Sequence, residues 1–174
     1  RLRNKEEGPA YHRIVSTIQQ IAPFFADFEL EPSGARGRDI ILNWRQKHSS
    51  QVFGAHQLSD GTLRAISLVT LFQQPVDDLP SVIVVDEPEL GLHPAAKTIL
   101  AGLIRKASSH CQVIVATQSA ALLDGFGPED VIVVDRDDRE SSFRRLDESA
   151  LQEWLEEYSL GQLWEKNVLG GGPF

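Results

Sequence analysis

A chain of 174 residues, 41% hydrophobic and 24% charged, is long enough to bury a core and has the make-up of a soluble globular protein, one domain or part of one. Its formal charge of −8 and pI near 5.1 argue against a clamp on duplex DNA held by bulk electrostatics, so any DNA surface must be local or lie in other regions. Cys111 is the single cysteine, which excludes an intrachain disulfide and fits a reducing cytoplasm, and neither a membrane-length apolar run nor a signal peptide is visible.

Taken in order, residues 9 to 28 carry Ile14, Ile18, Ile21, Phe24 or Phe25, and Phe28 at roughly helical spacing, which predicts an amphipathic helix starting near Pro9. Residues 31 to 37 read as a loop, after which Asp39 to Trp44 and Gln51 to Phe53 predict two strands of a hairpin. Arg36, Arg38, Arg45, Lys47 and His48 gather there around Trp44, a pattern open to two readings, a nucleic-acid contact or a solvated hairpin. Ser59 then stands as N-cap to a helix apolar over most of its circumference through Leu63, Ile66, Leu68, Val69, Leu71 and Phe72. The N-terminus of such a helix offers backbone N–H groups and a positive dipole end, and Gly61 permits close approach, so Ser59-Asp60-Gly61 is a candidate anion site as well as a plain cap. Asp60 beside a phosphate would have to point away or face a cation.

The run Val82-Ile83-Val84-Val85, β-branched and without a polar face, predicts a strand covered on both sides in a parallel sheet, ending at Asp86 and Glu87. Ligands of open α/β sheets bind at the carboxyl ends of the strands. Asp86 there can hold magnesium directly or through water, while Glu87, facing another way, can polarise a water for attack on a phosphate; a polar turn after a strand explains the two acids as well. Residues 95 to 107 predict a crossover helix with Ile99, Leu103 and Ala107 on one face and Arg105 and Lys106 near its C-terminus. Val113 to Ala116 predicts a second buried strand, ending at Thr117-Gln118-Ser119, where Ser119 could also cap a helix. Val131 to Val134 predicts a third strand, and the acids of Asp135-Arg136-Asp137-Asp138 fit a hairpin turn into Phe143 to Leu146 better than a metal site of the Toprim nuclease kind. Ala150 to Tyr158 and Leu160 to Trp164 predict short acidic amphipathic helices, and Gly170 to Gly172 a flexible end.

Three stretches, Leu58-Ser59-Asp60-Gly61-Thr62-Leu63-Arg64, Asp86-Glu87-Pro88-Glu89-Leu90-Gly91-Leu92-His93-Pro94 and Ala116-Thr117-Gln118-Ser119, together resemble the second half of an ATP-binding-cassette (ABC) ATPase of the RecF and SMC type, a predicted AAA-family ATPase: signature loop, Walker B, D-loop and switch position, from about Ser59 to Asp135. The resemblance implies a P-loop NTPase-like α/β fold with a mostly parallel sheet flanked by helices, preceded by a helix and a β-hairpin. It implies ATP as substrate, magnesium on Asp86, Glu87 as the catalytic base, and Ser59, Asp60 and Gly61 closing over the nucleotide of a partner subunit. Gly91, Leu92 and His93 would line the seam of a homodimer formed on nucleotide binding, with His93 where transporters commonly place an aspartate. Gln118 stands where a histidine usually senses the γ-phosphate; it can donate a hydrogen bond or orient a water but cannot shuttle a proton, which makes slow turnover an expectation.

No G-x-x-x-x-G-K-[ST] occurs, so the phosphate-cradling loop is absent from this sequence. With a start at Arg1 and no methionine, the chain is read as the C-terminal part of a longer ATPase, inactive alone. The organisation expected is residues 1–57 leading into the signature, 58–146 as the ATPase core, and 147–174 as C-terminal helices and tail. The functional expectation is ATP binding and hydrolysis with nucleotide-driven dimerisation, linked to DNA repair or defence, without a membrane. The alternative is an ATP-gated regulatory module that hardly hydrolyses, or one partnered with a nuclease.

Overall fold

In a computed structural model of the chain, residues 8–33, 39–136 and 140–171 are described. By its contacts the chain divides into two compact units, Arg1–Val115 and Ala116–Phe174.

The first unit begins with helix α1, Gly8–Ile21, which buries Ala10, Tyr11, Ile14, Val15 and Ile18 at spacings of three and four. It is shorter than its apolar spacing predicts. Pro23 cannot donate to a helical carbonyl and disfavours the α conformation at Ala22, so the chain turns there, and Phe25 and Phe28 belong to strand β1, Phe25–Ser33. β1 pairs antiparallel with β2, Asp39–Gln46, which pairs antiparallel with β3, Val52–Gly54, so the expected hairpin is a three-stranded sheet. Its inner face carries an aromatic cluster. Phe28 stands opposite Trp44 and Trp44 opposite Phe53. Ring centroids lie 4.9 Å apart for both Phe25–Phe28 and Trp44–Phe53. Trp44 is only 4% exposed and its Nε1 donates to the Gly54 carbonyl at 3.1 Å, so it is a core residue and offers no platform for a base. Arg45 pairs with Glu29 at 2.6 Å, while Arg36 and Arg38 lie outside the described residues. Lys47 and His48 are exposed.

Helix α2, Asp60–Phe72, brings Ile66 and Val69 into the core formed by α1 and the aromatic cluster. Strand β4, Val82–Asp86, is a hydrogen-bonded neighbour of β5, Gln112–Ala116, and the two are joined by helix α3, Pro94–Ser108, the crossover that a parallel pair requires. The expectation of a mostly parallel sheet thus rests on the two-stranded β4–β5 pair and its crossover, since the other two sheets among the described residues are antiparallel. The strand expected to be covered on both faces is covered on one: Ile83 is 4% exposed, whereas Val82 is 47% and Val84 70%, and Ile114 on β5 is 48%. α3 buries Ala96, Leu100, Ala101, Ile104 and Ala107, so of the face read from Ile99, Leu103 and Ala107 the last is fully buried and the other two are half-buried.

In the second unit, helix α4, Ala120–Leu123, is followed by a 3-10 turn at Pro128–Asp130 and the antiparallel hairpin of β6, Ile132–Arg136, and β7, Ser141–Arg145. This is the hairpin the acidic turn suggested, although Asp137 and Asp138 lie outside the described residues. Helices α5, Glu148–Glu157, and α6, Leu160–Glu165, close a small core of Val133, Leu146, Leu151, Leu160, Leu163 and Leu169. The expected loose end is tied down at Gly170 and Gly171. Both adopt φ above +70°, and the Gly171 N–H donates to Asp135 Oδ1 at 2.7 Å. Gly172 lies outside the described residues.

Candidate functional site

The carboxyl end of β4 delivers Asp86 to the surface, exposed, and Glu87 beside it, half-buried. Glu87 has φ +41°, in the left-handed region that costs a non-glycine residue roughly 1–2 kcal/mol. The extended backbone of β4 therefore ends at Asp86, and Glu87 takes a different conformation. Beyond Glu87 the chain makes two tight turns. The Leu90 N–H donates to the Glu87 carbonyl at 3.1 Å, the Leu92 N–H donates to the Glu89 carbonyl at 3.0 Å, and Gly91 takes φ +78° between them. Pro88 and Glu89 are buried inside this turn, Leu90, Gly91 and His93 are exposed, and Leu92 is half-buried. His93 is the N-cap of α3, its Nδ1 accepting the Ala95 N–H at 3.4 Å, and Pro94 occupies the first helical position. His93 thus has a local role as a helix cap.

The start of α2 lies against this turn. Ser59 is the N-cap as its sequence suggests: Oγ accepts the Thr62 N–H at 3.2 Å and pairs with Thr62 Oγ1 at 2.9 Å. Ser59 and Asp60 are exposed, and Asp60 in the first turn complements the positive end of the helix. The N–H groups of Asp60 and Gly61 have no acceptor within the helix itself. Gly61 serves a close approach, but to protein: a Cβ built on it would lie 3.1 Å from the carbonyl carbon of Gly91 and nearer still to its oxygen. Two glycines thirty positions apart put the first turn of α2 against the turn after β4. Three residues further on, Arg64 Nη1 donates to the Glu87 carbonyl at 3.1 Å. Sequence reasoning gave Arg64 no role of its own, because that role depends on a contact between α2 and the turn after β4.

Magnesium fits the donor set in one manner. Among the described residues no group of three or more His, Cys, Asp or Glu side chains is placed to hold a metal. An exposed single carboxylate such as Asp86 suits an ion that arrives with the phosphates and keeps most of its water, which is how magnesium is usually bound.

In the second unit, Gln118 follows β5 and is exposed. Thr117 Oγ1 accepts the Ser119 N–H at 3.0 Å, and Ser119 Oγ caps α4 by accepting the Leu122 N–H at 3.3 Å, so the capping role of Ser119 is present. The open depression lined by Glu148, Ser149, Gln152, Leu155 and Glu156 lies along α5, and its carboxylates do not suit a phosphate.

Comparison with known proteins gives one family. A family model described as "AAA domain, putative AbiEii toxin, Type IV TA system" matches residues 8–124. Among curated proteins no sequence matches. Solved structures similar in fold are SMC ATPases. One, from work on ATP-driven dimerisation and DNA-stimulated activation of SMC ATPases, superposes with a TM-score of 0.62 at 18% identity over 85% of this chain and 89% of the other. The Smc head domain of Pyrococcus furiosus with an extended coiled coil, bound to the C-terminal domain of ScpA, gives 0.63 at 19% identity over 85% of this chain and 37% of the other. The SMC head domain of Thermotoga maritima gives 0.53 at 17% over 79% and 47%. The chain thus spans most of the first and less than half of the other two. The fold is that of the P-loop NTPase-like SMC heads. No helix among the described residues is long and apolar enough to cross a membrane.

Proposed function

The chain belongs to the AAA-domain family described as putative AbiEii toxin of type IV toxin–antitoxin systems, and from that premise we propose that it forms the signature, Walker B and D-loop portion of an ABC-type ATPase, residues 58–146, active once a phosphate-cradling loop from other sequence joins it. The observation that carries the proposal is the junction at β4: an exposed Asp86 followed by a half-buried Glu87 at φ +41°, two adjacent carboxylates at the carboxyl end of a strand. In this reading Asp86 holds magnesium, which, when bound, neutralises charge on the phosphates and bridges them to the protein. Glu87 accepts a proton from the attacking water as the new bond to the γ-phosphorus forms and the bond to the bridging oxygen breaks. The exposed start of α2 supplies the N–H groups of Asp60 and Gly61 and the Ser59 hydroxyl to the γ-phosphate of a second copy. Gly91, Leu92 and His93 then belong to the seam, and the whole assembly is a nucleotide-dependent homodimer of the cytoplasm working in DNA repair or defence. The family's name and the SMC heads, whose dimerisation is ATP-driven, support that setting.

Glu87→Gln in the full-length protein tests it. The substitution keeps shape and nucleotide binding but removes the base, so phosphate release should slow on the order of a hundredfold. Turnover equal to wild type would remove Glu87 from the mechanism. A second reading is favoured by Gln118, exposed and uncharged after β5: a gated binding module that closes on ATP and hydrolyses it only slowly, in which wild-type phosphate release is already near the Glu87→Gln level.

A further inference from the structure

Glu87 is held from outside its own turn. Its carbonyl accepts two donors, the Leu90 N–H from the following turn and Arg64 Nη1 from α2, both at 3.1 Å. The first closes a local turn; the second crosses twenty-three positions and joins the residue to the signature helix. At φ +41° this backbone has few favourable alternatives for glutamate, and such a conformation persists only where the surroundings fix it. Arg64 supplies a charged donor to the one backbone oxygen that fixes the orientation of the Glu87 peptide. Gly61 and Gly91, with their backbones in contact, fix the distance between the same two segments one turn away. Resting on the reading of Glu87 as the base, we propose that Arg64 is a positioning residue: it holds the Glu87 peptide in the left-handed region, and with it the direction of the carboxylate, and thereby ties that direction to the position of the signature helix. Arg64 is exposed and no more than a small part of the core, so its effect should appear in turnover rather than in folding.

The test uses the full-length protein with four forms: wild type, Arg64→Met, Glu87→Gln and the double variant, with Arg64→Lys as the conservative control. Methionine keeps the length of the apolar stem and removes the donor. Losing one charge-assisted hydrogen bond on the positioning path should lower kcat on the order of tenfold, with KM for ATP within about twofold of wild type. Lysine, still able to donate once, should restore part of kcat. In single-turnover hydrolysis, Arg64→Met should cause no further loss once Glu87 is glutamine, because it acts through that carboxylate. Losses that multiply in the double variant, an unchanged kcat for Arg64→Met, or a raised KM with kcat intact would each overturn the inference while leaving Glu87 as the base. Turnover unaffected by Glu87→Gln would instead overturn the catalytic reading, and the positioning role with it.

Discussion

Gly61→Ala isolates the contact between the signature turn and the D-loop turn. Gly61 lies in the first turn of α2 and takes no positive φ, so alanine suits its backbone, and on helix propensity alone the change should stabilise by up to about 1 kcal/mol. Packing opposes this. The new Cβ would sit 3.1 Å from the Gly91 carbonyl carbon, short by about 0.5 Å of an ordinary separation of ~3.6 Å, and the shortfall at the carbonyl oxygen is larger. The obstacle is backbone on both sides, which cannot rotate away. Overpacking costs about 1–3 kcal/mol, and a backbone oxygen closer than the carbon puts this site in the upper part of that range, so the net loss is about 1–2 kcal/mol, or a fall in Tm of roughly 2–8 °C for a chain of this size. Gly102→Ala is the internal control: it lies within α3 with nothing within 4 Å of its Cβ position, so it should gain up to about 1 kcal/mol. Urea unfolding of both variants beside wild type gives the two signs directly. A Gly61→Ala protein as stable as Gly102→Ala would mean that the two turns do not touch, and the coupling drawn from their contact would go with it.

Asp86→Asn in the full-length protein should weaken magnesium-dependent ATP binding, read by titrating nucleotide with and without the ion; an unaltered magnesium dependence would exclude Asp86 as the ligand. Ser59→Arg in a Glu87→Gln background should bind ATP but no longer dimerise in size-exclusion chromatography with light scattering. Ser59→Ala, which removes the cap at a cost of about 1 kcal/mol and one of the donors proposed for the γ-phosphate, should dimerise less tightly than its parent but better than Ser59→Arg, so equal behaviour of the two would remove the trans role of this loop. Asp147 caps α5, and its carboxyl is held below the ordinary aspartate value first by the Ser149 hydroxyl and then by the Ser149 N–H. A lowered folded pKa gives stability that is present above the unfolded value and is lost as pH falls through the folded one. Asp147→Asn should therefore flatten the acid limb of the stability curve between those two values, and an unchanged limb would contradict it.

Local signals read well where a residue type and its neighbours decide the structure: Ser59 before an apolar helical run, Ser119 at the start of α4, and the acidic turn between β6 and β7. They failed where two periods coincide. Phe25 and Phe28 are three apart, as a helix would place them, yet Pro23 ends α1 and a register irregularity between Phe25 and Asp27 brings both rings to one side of β1. Trp44 among cations resembled a surface feature because its partners, Phe25 on one strand and Phe53 on another, are distant in sequence. The chemistry-bearing residues of the candidate site were legible from their order, but the contacts that shape it were not. Gly61 meets Gly91, and Arg64 reaches Glu87, across intervals that no periodicity encodes, and a positive φ at glutamate has no composition signal at all.

The strained backbone at Glu87 also bears on how this protein tolerates change under selection. Glycine at 87 would relieve a conformation costing roughly 1–2 kcal/mol, and asparagine would relieve part of it, so both are routes to a more durable fold. Each would also delete the carboxylate proposed as base. An evolutionary or laboratory regime that rewards heat resistance alone would drift toward a sturdier, silent protein at this position, and a glutamate retained there is the mark of a lineage in which turnover is still being rewarded.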